Sequence, residues 1–549
     1  MKKVILRIVI VLGILFVILK GIEWWLEHNF AAKINANPER AYNIDYEDFD
    51  LHTGLKGITL DKVKIRPLNE TEGAASIVGD VEYATLKGLV WVDLLFGKTL
   101  NITEISFEQP VFEITLRADT VKKNSGTGIQ DMFGDILSRG DLQNFRIENG
   151  SMILKEPGSG KIKGEIKKVN VLATDLETDT VQLSHLIPFK LGDLQVEIEE
   201  IKFDLNEYTH FKLGKIEYDL KEKVIKLLDL SMGYSIDWVA VSNKVGFQND
   251  IIELHVKEIS MHELEPSSSF YSHLDISARK VLIDSLDIKL SRNKNLERPA
   301  DVVKPMFNGM ISAIPIPVEL DSIQLLNSTV TYQELGAKKE ESGKLSLRNI
   351  DGVIRGFTNI PEKQDNLKQL RSDLSANFNG YGNMQIALVV PYKTESFQLK
   401  VDMKSLEMNK FNPMLIPLAG VKIESGELQK LEFKMNAGHQ YSKNNLIFDY
   451  KDLHVSLIKE KENHKFKKRA IISMIAEATV KNNNYPEYKN YLTAAYDTER
   501  NVHRSPVNYI IQGMVQGIVR IVPGKNIGNA VTKDTKEKKD KKKKKKKEK

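Results

Sequence analysis

The side chains able to do chemistry are few and scattered. Eleven histidines are spread over 549 residues, and the closest two, His255 and His262, stand seven positions apart. There is no HExxH motif and no pair of histidines at i, i+4, so no helix presents the usual zinc-binding pair. Cysteine is absent, which removes disulfides, thiolate metal ligands and thiol nucleophiles together. Gly158-Ser159-Gly160-Lys161 has the composition of a phosphate loop but not its GxxxxGKS/T spacing, and reads as a hairpin turn. No GxSxG elbow occurs, and the adjacent Glu199 and Glu200 fall at a junction of alternating runs, where a solvated face accounts for them. Four Asn-x-Ser/Thr triplets, Asn101 and Asn327 among them, are no more than chance provides. The expectation is a protein that is not an enzyme, with no catalytic residue, no metal and no cofactor.

The elements that carry these side chains read as strands. From Asp50 to Leu457 the dominant period is two, without error in Leu194-Gln195-Val196-Glu197-Ile198-Glu199 and in Phe397-Gln398-Leu399-Lys400-Val401-Asp402-Met403. The alternation resumes after one skipped position at Ile201-Lys202-Phe203 and at Leu286-Asp287-Ile288, as a bulge or tight kink would produce. Asn149-Gly150, Lys221-Glu222-Lys223 and Asn379-Gly380 read as turns between runs. A short unit recurs, with two turn-forming residues between an apolar residue and the start of an alternating run. Its copies begin at Phe107, Ile147, Leu325 and Ile423. Helical spacing is confined to residues 92–98, 129–138 and 301–314, too little to cover a large sheet. The predicted fold is mainly β, a long antiparallel sheet. An N-terminal transmembrane helix and a few short covering helices complete it. Roughly 20 to 25 strands at about 4.8 Å would make it on the order of 100 Å long.

The apolar face of such a sheet must close, stack on itself or bind something apolar along its length, and a lipid chain is one such partner. The candidate groove residues are Phe112, Ile114 and Leu116, then Leu194, Val196 and Ile198, and finally Phe397, Leu399, Val401 and Met403. At the N-terminus, Lys2, Lys3 and Arg7 precede an apolar run from Ile8 to Leu19. Its twelve residues suit a cleaved signal core, whereas a window from Val4 to Leu26 spans a bilayer if Arg7 and Lys20 snorkel. The anchor residues are Ile8, Val9, Ile10, Val11, Leu12, Ile14, Leu15, Phe16, Val17, Ile18 and Leu19, with Trp24 and Trp25 as an interfacial belt. The basic flank keeps the N-terminus cytoplasmic.

At the other end, Ser505-Pro506 is a helix start and Pro523-Gly524 a stop. Between them Val507, Ile510, Ile511, Met514, Val515, Ile518, Val519 and Val522 form an apolar stripe, opposed by Asn508, Gln512, Gln516 and Arg520. The amide-rich polar stripe favours docking on the protein itself over a membrane surface. Residues 533–549 hold twelve lysines against four carboxylates, a net +8 that leaves −3 of the overall +5 for the remainder. The body is therefore no broad nucleic-acid surface, and no nucleic acid is expected as a partner. Lys541, Lys542, Lys543, Lys544, Lys545, Lys546 and Lys547 form a disordered, solvated tail able to meet anionic lipid.

Several blocks resemble the AsmA-like family. At the front these are residues 57–65, from Gly57 to Ile65, then Asp93-Leu94-Leu95-Phe96-Gly97-Lys98 and Ile105-Ser106-Phe107-Glu108-Gln109-Pro110. Later come Phe411-Asn412-Pro413, Leu418-Ala419-Gly420, Ile423 to Leu428, Tyr450-Lys451-Asp452-Leu453 and Ser505 to Ile510. The resemblance implies a single-pass bacterial inner-membrane protein with its bulk in the periplasm, its sheet elongated, strongly twisted and antiparallel, forming an open groove or taco-like trough. It implies a role in outer-membrane assembly or in moving phospholipid between the membranes, with phospholipid, inner membrane and outer-membrane components as partners. A scaffold or regulator of outer-membrane protein assembly is the alternative. The expected layout is an anchor over 1–27, β regions over 28–155, 156–307 and 308–480, a helical segment over 481–530 and the tail over 531–549.

Overall fold

The computed structural model describes residues 14, 16–17, 20–26, 28–32, 34–35, 42–52, 57–68, 76–89, 102–115, 142–176, 192–264, 275–299, 302–337, 339–458 and 480–523. Strand follows strand through most of them, 21 in all. Two compact units divide the chain: Met1–Asp229 with Glu263–Asp275, and Leu230–His262 with Ile276–Lys549.

The local reason for so regular a β chain is visible in its backbone. Among the described residues sixteen that are not glycine have positive φ, and of these only Asp175, Lys223, Lys368 and Asn379 lie at turns or element ends. The other twelve interrupt strands, each following an apolar residue by two positions, as in Leu60-Asp61-Lys62-Val63, Ile198-Glu199-Glu200-Ile201 and Tyr450-Lys451-Asp452-Leu453. None is β-branched, because a branched Cβ clashes in the left-handed region, and five are Asn or Asp, which tolerate it best. Each inserts one residue and so reverses which positions face the core. Ile58 and Leu60, before Lys62, and Val63 and Ile65, after it, are therefore all buried. The freed backbone N–H groups find side chains: Asn149 donates to Asn170 Oδ1 at 2.9 Å, Asn327 to Asp351 Oδ1 at 2.9 Å and Asp452 to Asn483 Oδ1 at 3.0 Å.

In the first unit, β3 (Gly57–Pro67) pairs with β1 (Tyr42–Asp45), β2 (Asp48–Leu51) and β4 (Ser76–Lys87). β5 (Glu104–Glu108) and β6 (Val111–Thr115) act as one strand interrupted at Gln109, both pairing with β4 and with β7 (Asn144–Lys155). β8 (Ile162–Thr174), β9 (Asp193–Asp204) and β10 (Thr209–Asp219) follow in antiparallel order. In the second unit β13 (Ile276–Asn293), β14 (Val318–Leu335), β15 (Ser342–Thr358), β16 (Gln369–Phe378), β17 (Gly382–Pro391), β18 (Phe397–Glu407), β19 (Val421–Ala437), β20 (Tyr441–Leu457) and β21 (Ala494–Glu499) pair in sequence. β11 (Val224–Tyr234) and β12 (Asp250–Leu264) contain the points where the chain passes from one unit to the other.

The expected antiparallel sheet is mixed instead. β5 and β6 run parallel to β7, and β13 runs parallel to β14. A parallel return needs a long crossover, and the chain takes residues 294–317, with the short helix Phe307–Ser312, to bring β14 alongside β13. Asn149-Gly150, expected to separate strands, lies inside β7 as a bulge, whereas Lys221-Glu222-Lys223 and Asn379-Gly380 are turns. All four copies of the recurring unit are such interruptions within a pairing ladder, with positive φ at Gln109, Asn149, Asn327 and Gly426.

No described helix is long and apolar enough to cross a membrane. Residues 20–26 and 28–32, with Ile34, are helical, and Leu26, Phe30 and Ile34, four apart, are buried in the first core. The expected helix near the C-terminus is present over Pro506–Ile521, with the Ser505 hydroxyl accepting from the Asn508 N–H at 3.4 Å. The helix Phe307–Ser312 falls within the expected 301–314, while 92–98 and 129–138 lie outside the described residues.

Candidate functional site

The first core contains an apolar cleft. Its wall is built from β3 (Leu60, Val63, Ile65), β4 (Ala84, Leu86), and Ile102, Ile105 and Phe107 at β5, closed by Ile44 of β1 and Ile34 of the N-terminal helix. It encloses about 500 Å³ counting the space at its mouth. Phe107 stands edge-on to Phe145, centroids 5.8 Å apart, and Phe30 is edge-on to Phe49 at 5.5 Å. Asn35 locks the cover in place, accepting from the Ile44 N–H at 2.9 Å and donating to the Ile44 carbonyl at 2.7 Å. These bonds satisfy backbone groups beside the cleft and keep its lining free of polar demand. Among the described residues no ionisable side chain lines it, so these offer shape and apolar area but neither acid, base nor nucleophile.

The proposed groove residues divide between two settings. Phe112 is buried in the first core, with Ile114, Leu194 and Ile198 half-buried against it; Val196 is half-buried and Leu116 lies outside the described residues. Phe397, Leu399, Val401 and Met403 are fully buried in the second unit's core. Helices cover them there: Phe397 stacks edge-on against Phe307 at 5.1 Å and against Tyr509 of the C-terminal helix at 6.4 Å. These four side chains are closed core, not an open channel wall.

Of the anchor residues, Ile14, Phe16 and Val17 are exposed, Trp24 is exposed, and Trp25 packs against the first core. Ile8, Val9, Ile10, Val11, Leu12, Leu15, Ile18 and Leu19 lie outside the described residues, as do Lys541 to Lys547. Sequence reasoning missed the cleft lining, although the blocks 57–65 and 105–110 supply half of it. The signal was the paired skip in β3 and β4, which keeps Leu60 and Val63, and Val81 and Ala84, facing one way.

The polar faces are laced with ion pairs, such as Lys168 to Glu199 at 2.6 Å in the first unit and Lys289 to Glu253 at 2.9 Å in the second. Near β13, Arg292 grips both oxygens of Asp250 at 2.7 and 2.8 Å, and Lys294 and the Tyr332 hydroxyl meet the buried Glu334 at 2.5 and 2.6 Å. Burial beside that carboxylate holds the Tyr332 phenol far above its ordinary range, so it stays a donor that ties β14 together. Among the described residues no three His, Asp or Glu side chains converge to hold a metal ion. In comparisons with known proteins, no family model matches the chain and no curated protein matches it.

Proposed function

We propose that this chain is a membrane-anchored, non-enzymatic lipid-binding protein of the bacterial envelope. In this reading it holds acyl chains against an apolar sheet face and passes phospholipid between inner and outer membranes. The observation that carries the reading is the cleft between β3, β4, β5 and the N-terminal helix, whose lining residues are all apolar. An acyl chain needs apolar area and no polar partner, and this cleft supplies the one without demanding the other. The AsmA-like blocks support the same reading, and two of them, 57–65 and 105–110, contribute lining residues. An elongated trough with an inner-membrane anchor and a periplasmic body belongs to this proposal. Ile14, Phe16 and Val17, 56–69% exposed on helical residues just before the cover helix, favour burial in a bilayer.

The test is lipid mass spectrometry on the purified full chain. Phospholipid should co-purify with the native chain and fall several-fold in Ala84→Trp, which fills the cleft. Tyr83→Trp, on the opposite face of β4, should retain it. A native chain without lipid, or equal lipid in Ala84→Trp, sinks the proposal.

One observation favours a second reading, a scaffold for outer-membrane protein assembly. The second unit closes its apolar face at Phe397, Leu399, Val401 and Met403 with its own helices and leaves them no room for cargo. Photocrosslinking from Val196 that captures protein and no lipid would select it.

A further inference from the structure

The C-terminal helix Pro506–Ile521 is apolar on two sides. Its inner stripe, Tyr509, Gly513, Gly517 and Ile521, is buried in the second core, and the two glycines permit close approach. A Cβ at Gly517 would run into the Tyr496 hydroxyl and come within 2.6 Å of Leu446. The sequence placed Val507, Ile511 and Val515 on the buried side; they point outward instead, 54%, 41% and 37% exposed at i, i+4 and i+8. Beside the start of the helix, the Lys304 N–H donates to the Val502 carbonyl at 2.9 Å. That bond ties the start of the helix to the segment that carries Val302 and Val303, both also more than half exposed. Arg500 fixes the corner by donating to the Lys304 carbonyl at 2.5 Å.

We infer that this helix is a second membrane contact, its outer stripe bedding into an anionic bilayer. The occupant follows from charge. From Arg500 to Thr532 there is no carboxylate at all, while Arg504, Arg520 and Lys525 are cationic beside the inward-turned Arg500, and the net +8 tail of residues 533–549 comes next. A shallow apolar stripe with cations at its ends and no acid along it matches a bilayer of anionic headgroups. A protein groove would ask for no such excess of one sign. The inference stands apart from the cleft, so an empty cleft leaves it intact.

The chain has no cysteine, so Ile511→Cys gives a single site for an environment-sensitive fluorophore. The full-length chain, held in neutral phosphatidylcholine nanodiscs, is mixed with phosphatidylcholine vesicles with or without phosphatidylglycerol. The label should shift to the blue only with the anionic vesicles, and should lose the shift in about 0.5 M salt. Removing residues 533–549 should weaken the response about tenfold or more. Tyr381→Cys, exposed on the turn between β16 and β17, should not respond. No shift at 511 with anionic vesicles overturns the inference, as does a shift that ignores tail removal. A shift without vesicles that grows with protein concentration also overturns it, since a second copy would then cover the stripe.

Discussion

Asp449 is a carboxylate that its surroundings disfavour. It is buried on β20, its Oδ1 has no hydrogen-bond partner, and burial raises its pKa above the ordinary carboxylate range despite a hydrogen bond from Tyr491. The same pairing and burial push the Tyr491 phenol up to about 12. Because the folded state keeps the Asp449 proton to higher pH than the unfolded chain does, its contribution is full in acid. It is lost as pH rises through the raised pKa. Asp449→Asn should therefore be more stable than the native chain at pH 7, by about 1 kcal/mol, with a flatter stability profile from the carboxylate range to neutrality. Thermal midpoints of both proteins across pH decide this; equal midpoints at pH 7 would count against it. The Asp449 environment was invisible in sequence, where Phe448-Asp449-Tyr450 is one more step of alternation. Its cost arises only from residues near 490 closing over the strand.

The strand with one inserted left-handed residue is the repeated element of this chain. Asn349 on β15 isolates its backbone role, having φ 47° and an exposed side chain with no hydrogen bond among the described residues. Asn349→Val should destabilise by about 1–2 kcal/mol, while Asn349→Gly should stay within about 0.5 kcal/mol of the native chain. Urea unfolding of the two variants measures the difference, and equal effects would show that φ is not the cause. The skipped positions before Ile201 and Leu286 were legible and fall at Glu200 and Ser285, both with positive φ. The Asn-Gly pair at 149 misled because the same dipeptide serves a hairpin turn and a bulge, and only the partner strand distinguishes them. Parallel pairing was illegible because it leaves no local mark on either strand. The helices Trp238–Val245, Pro361–Leu367 and Asn412–Ala419 were missed because eight residues or fewer give too little periodicity to read.

The described residues form two apolar cores, one in each unit. Leu60→Ala in the first and Phe433→Ala in the second should each cost about 2–5 kcal/mol, since both side chains are fully buried. Hydrogen exchange should report loss of protection in β3 to β5 for the former and in β18 to β20 for the latter. Less than about 1 kcal/mol for Leu60→Ala would contradict its packing. A mainly β body was legible from period two alone, but its division into two units was not, since alternation looks the same whichever core a strand serves. The inserted residues also align between neighbouring parallel strands. Gln109 lies level with Asn149, where Val111 faces Ser151, and Ser285 lies level with Asn327, where Ile276 faces Val318. Those spacings, 40 and 42 residues, are both even and differ by one alternation. A deletion of one codon within any such strand would turn the remainder of it inside out, whereas a deletion of two would only shorten it. The lengths of these strands can therefore drift over generations in pairs of residues, and an odd change survives only where a new left-handed residue arises with it.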